Sequence, residues 1–259
     1  MTAKPASRTG SAAGSAAGSG SRSGGLAGTD GRDERWAAHR EERRTQILDA
    51  AIAVIEREPI GAEIHVRQIA GEAGLGRPVI YRHFADRADL DRAVQKRILE
   101  MLMDQLVPEF ELSGTIDSII ERIVFAYVAW AAEHPALHRI GAAESQDADR
   151  LGDVLQVTEQ VGRLIAMLVT SGADLLSVEL TAEDQQILDP LVFGIVGQAV
   201  GTVRFWLARE TREPSVEVLA EHLKRSVWFQ IAGHARDRGI ELDPSTSLDD
   251  LVMASLRAE

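Results

Sequence analysis

HVRQIAGEAGLGRPVIYRHFADRADL, residues 65–90, holds two short helical patterns separated by a glycine-containing turn. In the first, Val66, Ile69, Ala70 and Ala73 recur at three- and four-residue spacing and so share one face. Gly74 stops it where a left-handed residue is needed. The second starts at Arg77-Pro78, proline being well tolerated in a first helical turn, and carries Ile80 and Phe84 inward at i, i+4. Asp86 then caps a fourth, long helix bearing Leu90, Val94, Ile98, Leu99 and Leu102. Two short helices joined by a three-residue turn containing glycine form a helix-turn-helix unit. Its first helix packs across and steadies the second, which presents its N-terminal half and outward face to a DNA major groove. Arg77, Val79, Tyr81, Arg82 and His83 are left facing outward. Arginine bonds guanine bidentately, Tyr81 offers a phosphate hydrogen bond, and Val79 suits a thymine methyl.

Upstream, the pattern turns helical from about Trp36. Ile47, Leu48, Ala51, Ile52, Val54 and Ile55 keep helical spacing until Pro59 and Gly61 end the run. Residues 1–28 hold 22 Gly, Ala, Ser or Thr and one large aliphatic residue, Leu26. Such a stretch buries too little apolar surface to offset its ordering entropy, so a disordered tail is expected over 1–35. Downstream, every segment reads as helix. Thr115 opens one to about Glu133, closed by His134-Pro135, and a short one follows near 137–142. A long one is expected from about Arg150 to Thr170. Thr181 and Asp184 open another to about Glu210 with a capping-box pattern. Ser215 opens one to about Arg238, and Ser247 with Asp250 a last short one. No segment alternates with period two. The expected fold class is all-α: a three-helix helix-turn-helix domain over 36–85, then a larger helical domain over 86–259.

The charge is divided between these parts. The net formal charge is −12, but residues 1–98 hold 16 basic against 13 acidic side chains, and residues 99–259 hold 12 against 27. Phosphate repels the acidic remainder, so contact with nucleic acid has to come from the first segment. Apolar residues form 45% of the chain and there is no cysteine, which excludes disulfides, thiol nucleophiles and thiolate metal sites. No run of 18 consecutive apolar residues and no leader pattern is present, so a soluble, cytoplasmic protein without a membrane role is expected.

Catalytic and metal patterns are weak. His134-x-x-x-His138 has helical ligand spacing, but Pro135 breaks the helix between them and no acidic partner is placed to help. Glu179, Glu183, Asp184 and Asp189 surround a helix start, where acids stabilise the dipole. There is no Ser-His-Asp set, phosphate loop or nucleotide fingerprint. No enzyme activity, metal or cofactor is expected.

The helix-turn-helix region resembles the TetR family of transcriptional repressors. RRTQILDAAIAVI at 43–55 is similar to that family's first helix and VRQIAGEAG at 66–74 to its second. YRHF at 81–84 followed by ADRADL at 85–90 is similar to the recognition-helix ending and the start of the fourth helix. The resemblance covers about residues 40–95. It implies an N-terminal DNA-binding domain, a divergent helical ligand-binding and dimerisation domain, and a homodimer on a palindromic double-stranded DNA operator. It also implies that Tyr81 and His83 contact the DNA backbone, and that Arg87 stands where a phosphate-contacting lysine is usual. Arg77, Pro78, Val79 and Arg82 complete the recognition helix, with Arg67 and His65 as further candidates. The chain departs from the pattern at His65, where threonine is usual, at Gly76, where a hydroxyl residue is usual, and at Val79. These changes leave arginine and histidine to supply the contacts.

In the larger domain, apolar helices with isolated polar residues suit a small-molecule pocket. The candidates for ligand contact are Phe125, Tyr127, Trp130, Gln198, Phe205 and Trp206. Gly194, Gly197 and Gly201 make a surface without side-chain bulk, which suits close approach by another helix. With Trp228 they are the candidates for a dimer interface, the resemblance placing that interface in the last two long helices. The function expected is a ligand-responsive regulator, a repressor released by a small apolar or amphipathic effector. The alternative is a helical small-molecule-binding protein without sequence-specific DNA binding.

Overall fold

The computed structural model describes residues 27–142, 161–167, 169–173, 178–248 and 250. Of the disordered tail expected over residues 1–35, residues 1–26 lie outside those described and 27–35 are helical; the start of the helix expected from Arg150 and most of the short C-terminal helix also lie outside them. Eight helices are labelled here: α1 Ala27–Arg57, α2 Val66–Glu72, α3 Arg77–His83, α4 Arg87–Leu106, α5 Ile116–Glu133, α6 Pro135–Gly141, α7 Ala182–Leu207 and α8 Val216–Arg236. A 3-10 turn, Val107–Phe110, follows α4, and residues 161–167 and 169–173 are also helical. Among the described residues the architecture is all-α, as expected.

The chain divides into two compact units, Met1–Glu42 and Arg43–Glu259. In the first, every described residue is helical, so α1 begins at Ala27, ahead of Trp36. Extending a formed helix fixes one residue per added hydrogen bond, so a helix runs upstream of its apolar periodicity at little cost.

The second unit is built around one continuous buried cluster. It runs from Ile47 and Ile55 on α1 through Ile80 and Phe84 to Leu90, Val94 and Ile98 on α4. From there it continues to Val128, Leu137 and Val203. Helix α4 belongs to both halves of this core, with Leu90 under the helix-turn-helix and Ile98 and Leu106 among the later helices. The helix starts follow local chemistry. Asp86 accepts from the Asp89 amide at 2.8 Å, Thr115 from Ser118, Thr181 from Asp184, and Ser215 from Val218. Helices α5 and α8 pack together and are clamped by Lys224. Its ammonium lies 3.2 Å from both Asp117 and Glu121 and 3.3 Å from Glu221. Burial opposes this charge, but hydrogen bonds to the three carboxylates outweigh it and hold the Lys224 pKa above its ordinary value.

Gly74 adopts φ +64° after α2, and an added Cβ would meet nothing within 4 Å. Gly74→Ala therefore carries only the left-handed backbone penalty. A loss of about 1–2 kcal/mol is expected in urea unfolding. An unchanged midpoint would show that the turn relaxes.

Candidate nucleic-acid interface and helical cavity

The recognition helix α3 is anchored by two buried side chains, Ile80 (0% exposed) and Phe84 (1%). Gly76 caps it in extended conformation without a side-chain bond, and Pro78 lies in its first turn. With the apolar pair committed inward, Arg77, Pro78, Tyr81 and Arg82 are exposed, and Val79 and His83 are half-buried. Arg67 and His65 are exposed on and before α2. The His65 amide donates to Gln68 Oε1 at 2.7 Å, so the N-terminus of α2 is closed without the usual threonine. Among the described residues, Arg77, Arg82 and Arg67 have no intramolecular ion pair, which leaves three cations on one compact unit.

Helix α1 holds this unit still. Arg44 donates to the carbonyl of His83 at 3.1 Å, and its guanidinium stacks 4.4 Å from the Phe84 ring centroid. Gln46 donates to the Ala73 carbonyl at 2.9 Å, and Arg57 pairs with Glu72 at 2.7 Å. Sequence reading missed Arg44 and Gln46 as positioning residues, because their partners lie 39 and 27 residues away.

Arg87 is engaged differently from the other cations. Its Nε donates to both Asp91 oxygens at 2.8 Å, and its Nη1 to the Ile64 carbonyl at 2.6 Å. It therefore braces the loop before α2 against the first turn of α4.

A cavity of about 1240 Å³ lies among α4, α5, α6, α7 and α8, walled mainly by aliphatic side chains. One end holds a polar pair: Tyr127 Oη is 2.8 Å from His138 Nε2, and the two residues are 9% and 4% exposed. Burial, and then the nearby charge of Arg204, push the His138 pKa down to about 4, so the ring is neutral at pH 7. Burial pushes the Tyr127 hydroxyl up from its ordinary value.

Of the sequence candidates for ligand contact, Tyr127 and Trp130 line this cavity. Phe125 faces a separate pocket of about 550 Å³ beside Met101 and Glu133. Gln198 is exposed and bonded to Ser226 and Gln230, both at 2.7 Å. Phe205 is 71% exposed, and Trp206 is buried with its indole N–H on the Pro214 carbonyl at 2.9 Å. Ile195, Ala199 and Arg204 of α7 line the cavity, whereas Gln198 and Phe205, which share a face seven residues apart, do not. His138 and Arg204 line the cavity but were not among the candidates. Their signal in the sequence is polarity within apolar surroundings. His134 does not join His138; it meets Glu56 on α1 at 2.6 Å. Among the described residues no group of three or more His, Cys, Asp or Glu is arranged to hold a metal.

Gly194, Gly197 and Gly201 are exposed, and a Cβ at any of them would meet nothing within 4 Å. Gly197 and Gly201 border the cavity, and Trp228 packs partly buried on the core. Ile187 (44%), Phe193 (54%) and Phe205 are exposed on the same helix. Among the described residues, α7 alone is long and apolar enough to cross a membrane by length and composition, and 11% of its most apolar stretch is buried.

Residues 47–94 match the family model for bacterial regulatory proteins of the tetR family. The chain is 27% identical over 209 residues to an uncharacterized HTH-type transcriptional regulator of Mycobacterium tuberculosis, spanning 79% of this chain and 84% of that one. Among solved structures it is similar to a tetR-family transcriptional regulator from Streptomyces coelicolor, with TM-score 0.57, 22% identity, and coverage of 85% and 90%. It is also similar to the regulator FadR of Bacillus subtilis in complex with stearoyl-CoA, with TM-score 0.56, 16% identity, and coverage of 70% and 95%.

Proposed function

We propose that this chain, a transcriptional regulator of the TetR family, is a homodimeric, cytoplasmic repressor. In this reading it binds a palindromic operator and is released by a small-molecule effector in the 1240 Å³ cavity. The role is one of binding, without catalysis. The observation that carries the reading is an α3 anchored by buried Ile80 and Phe84 with its cations exposed, joined through one continuous core to a large apolar cavity.

In a dimer, two copies of α3 must sit about 34–36 Å apart to enter successive major grooves. Tyr81, His83 and Arg87 face phosphates in this reading, and Arg77, Val79 and Arg82 face base edges. The exposed apolar residues of α7, with Gly194 and neighbouring α8, form the face offered to a second copy. An effector that binds better to a dimer with another spacing shifts the population away from DNA.

Helix α6 is suited to transmit that shift alongside α4. It lines the cavity with His138 and Gly141, and its cap His134 bonds Glu56 at the far end of α1. Gly141 packs so closely on α4 that an added Cβ would come within 3.2 Å of Ile98. A ligand pressing on α6 thus acts on α4 and α1 together.

Sedimentation at micromolar concentration is expected to give twice the 28.1 kDa chain mass, and a gel shift with DNA flanking its own gene a specific complex. A monomer, or equal affinity for scrambled DNA, would overturn the dimeric repressor. Retained ligand binding with equal affinity for all DNA would identify a small-molecule-binding protein instead.

A further inference from the structure

We infer that residues 239–248, a strap returning from the end of α8 to the start of α5, are the gate of the cavity: a ligand enters and leaves as this strap swings away. The inference rests on the effector reading above.

The strap has a hinge, a self-contained turn and a latch. At its root, Arg238 pairs with Asp184 at the start of α7. Gly239 follows at φ +74°, and the amides of Gly239 and Ile240 close α8 on the carbonyls of Arg236 and Ala235, at 2.8 and 3.0 Å. In the middle, Asp243 Oδ1 accepts from the Ser245 amide at 2.8 Å and from the Ser245 hydroxyl at 2.6 Å. The Asp243 carbonyl accepts from the Thr246 amide at 3.1 Å. These bonds lie within the strap, so the turn keeps its shape whether or not the strap is docked. At the far end, Ser247 forms an isolated antiparallel bridge with Thr115, and the Leu248 amide donates to the Gly114 carbonyl at 2.9 Å.

The two sides of the strap differ. Ile240, Leu242 and Leu248 line the cavity, whereas Glu241, Asp243, Pro244 and Ser245 are exposed. Within 239–248, Leu248 alone is buried, at 5% exposed. A segment that covers an apolar space with one buried side chain and a short backbone contact opens locally more readily than the core beneath it. The latch is made at the edge of the cavity, because Leu112 and Ile116, on either side of Gly114 in sequence, also line it. The turn that receives the latch is held independently from α5. Arg122 donates to the carbonyls of Glu111 at 2.7 Å and Ser113 at 3.2 Å. The strap therefore leaves without freeing the turn between α4 and α5.

The chain has no cysteine, so introduced thiols are the only ones present. Opposed residues of an antiparallel bridge lie about 4.5–5.5 Å apart at Cα, within disulfide reach. Thr115→Cys with Ser247→Cys should thus tie the strap shut on oxidation. Stopped-flow fluorescence of the full chain with Nile red, an apolar probe, compares the two redox forms. On oxidation, association and release are both expected to slow about tenfold or more, with Kd little changed. Equal rates in the two forms would show that ligands enter elsewhere and end the inference. A changed Kd with an unchanged association rate would make the strap a fixed wall and not a gate.

A second series needs no bound probe. Val192→Cys puts a single thiol on the cavity wall, at a residue 3% exposed. Adding Leu248→Ala is expected to speed its reaction with N-ethylmaleimide about tenfold or more, in chains whose circular dichroism matches the wild type. An unchanged rate would again count against the gate. Gel shifts with the oxidised and reduced pair separate this inference from the reading beneath it. Gated entry, with no apolar compound able to release DNA, would retain the strap's role and sink the effector reading. DNA release at equal rates in both redox forms would do the reverse.

Discussion

Arg77→Ala is expected to cost about 1–3 kcal/mol at the preferred base in each half-site, tenfold to over a hundredfold, and to relax preference there. On a palindromic site a dimer would show this loss twice. The melting temperature should not change, because Arg77 is exposed and has no ion-pair partner among the described residues. Arg87→Ala should fail in another way. It removes the Asp91 pair and the bond to the Ile64 carbonyl, so about 1 kcal/mol of stability is expected to go with it. Where Arg87 also touches phosphate, binding to all sequences weakens alike and the log–log salt slope falls by about one per lost contact. A lowered melting temperature with an unchanged slope would make Arg87 a brace alone. Identical behaviour of the two variants would show that α3 docks in another orientation.

The second large effect is a loss of stability in mild acid. The His138 pKa is lowered to about 4 from its ordinary 6.5 by burial and by Arg204. Between those values the unfolded chain binds a proton that the folded chain does not, so stability is fully present above pH 6.5 and declines as pH falls toward 4. The loss is expected to be about 2 kcal/mol by pH 5 and about 3 kcal/mol by pH 4. Other groups titrate in the same range, so the readout is the difference between the wild-type chain and His138→Gln, measured by urea unfolding from pH 7.5 to 4.5. The variant should be less stable at pH 7.5, having loosened the Tyr127 bond, and flatter below it. Parallel curves would mean that His138 is solvated in solution.

What the sequence by itself determined is what depends on neighbours a few residues apart. The period of Val66, Ile69 and Ala73, the positive φ at Gly74, and the caps at Asp86, Thr115, Thr181 and Ser215 all act within about one helical turn. That is why the helix-turn-helix, the starts of α4, α5, α7 and α8, and the outward residues of α3 are legible in the sequence. Only the tertiary structure decided which of those side chains have partners. Arg87 reads as a surface cation until the Ile64 carbonyl, 23 residues upstream, is brought to it. Tyr127 and His138 stand on opposite sides of the His134-Pro135 break, and the bond between them exists only because α6 folds back beside α5. Phe205 and Trp206 are adjacent in sequence, yet one is 71% exposed and the other 3%. Helical register assigns consecutive residues to faces 100° apart, but packing against α5, α6 and α8 decides which face is buried, which lines the cavity and which is left for solvent or a second copy.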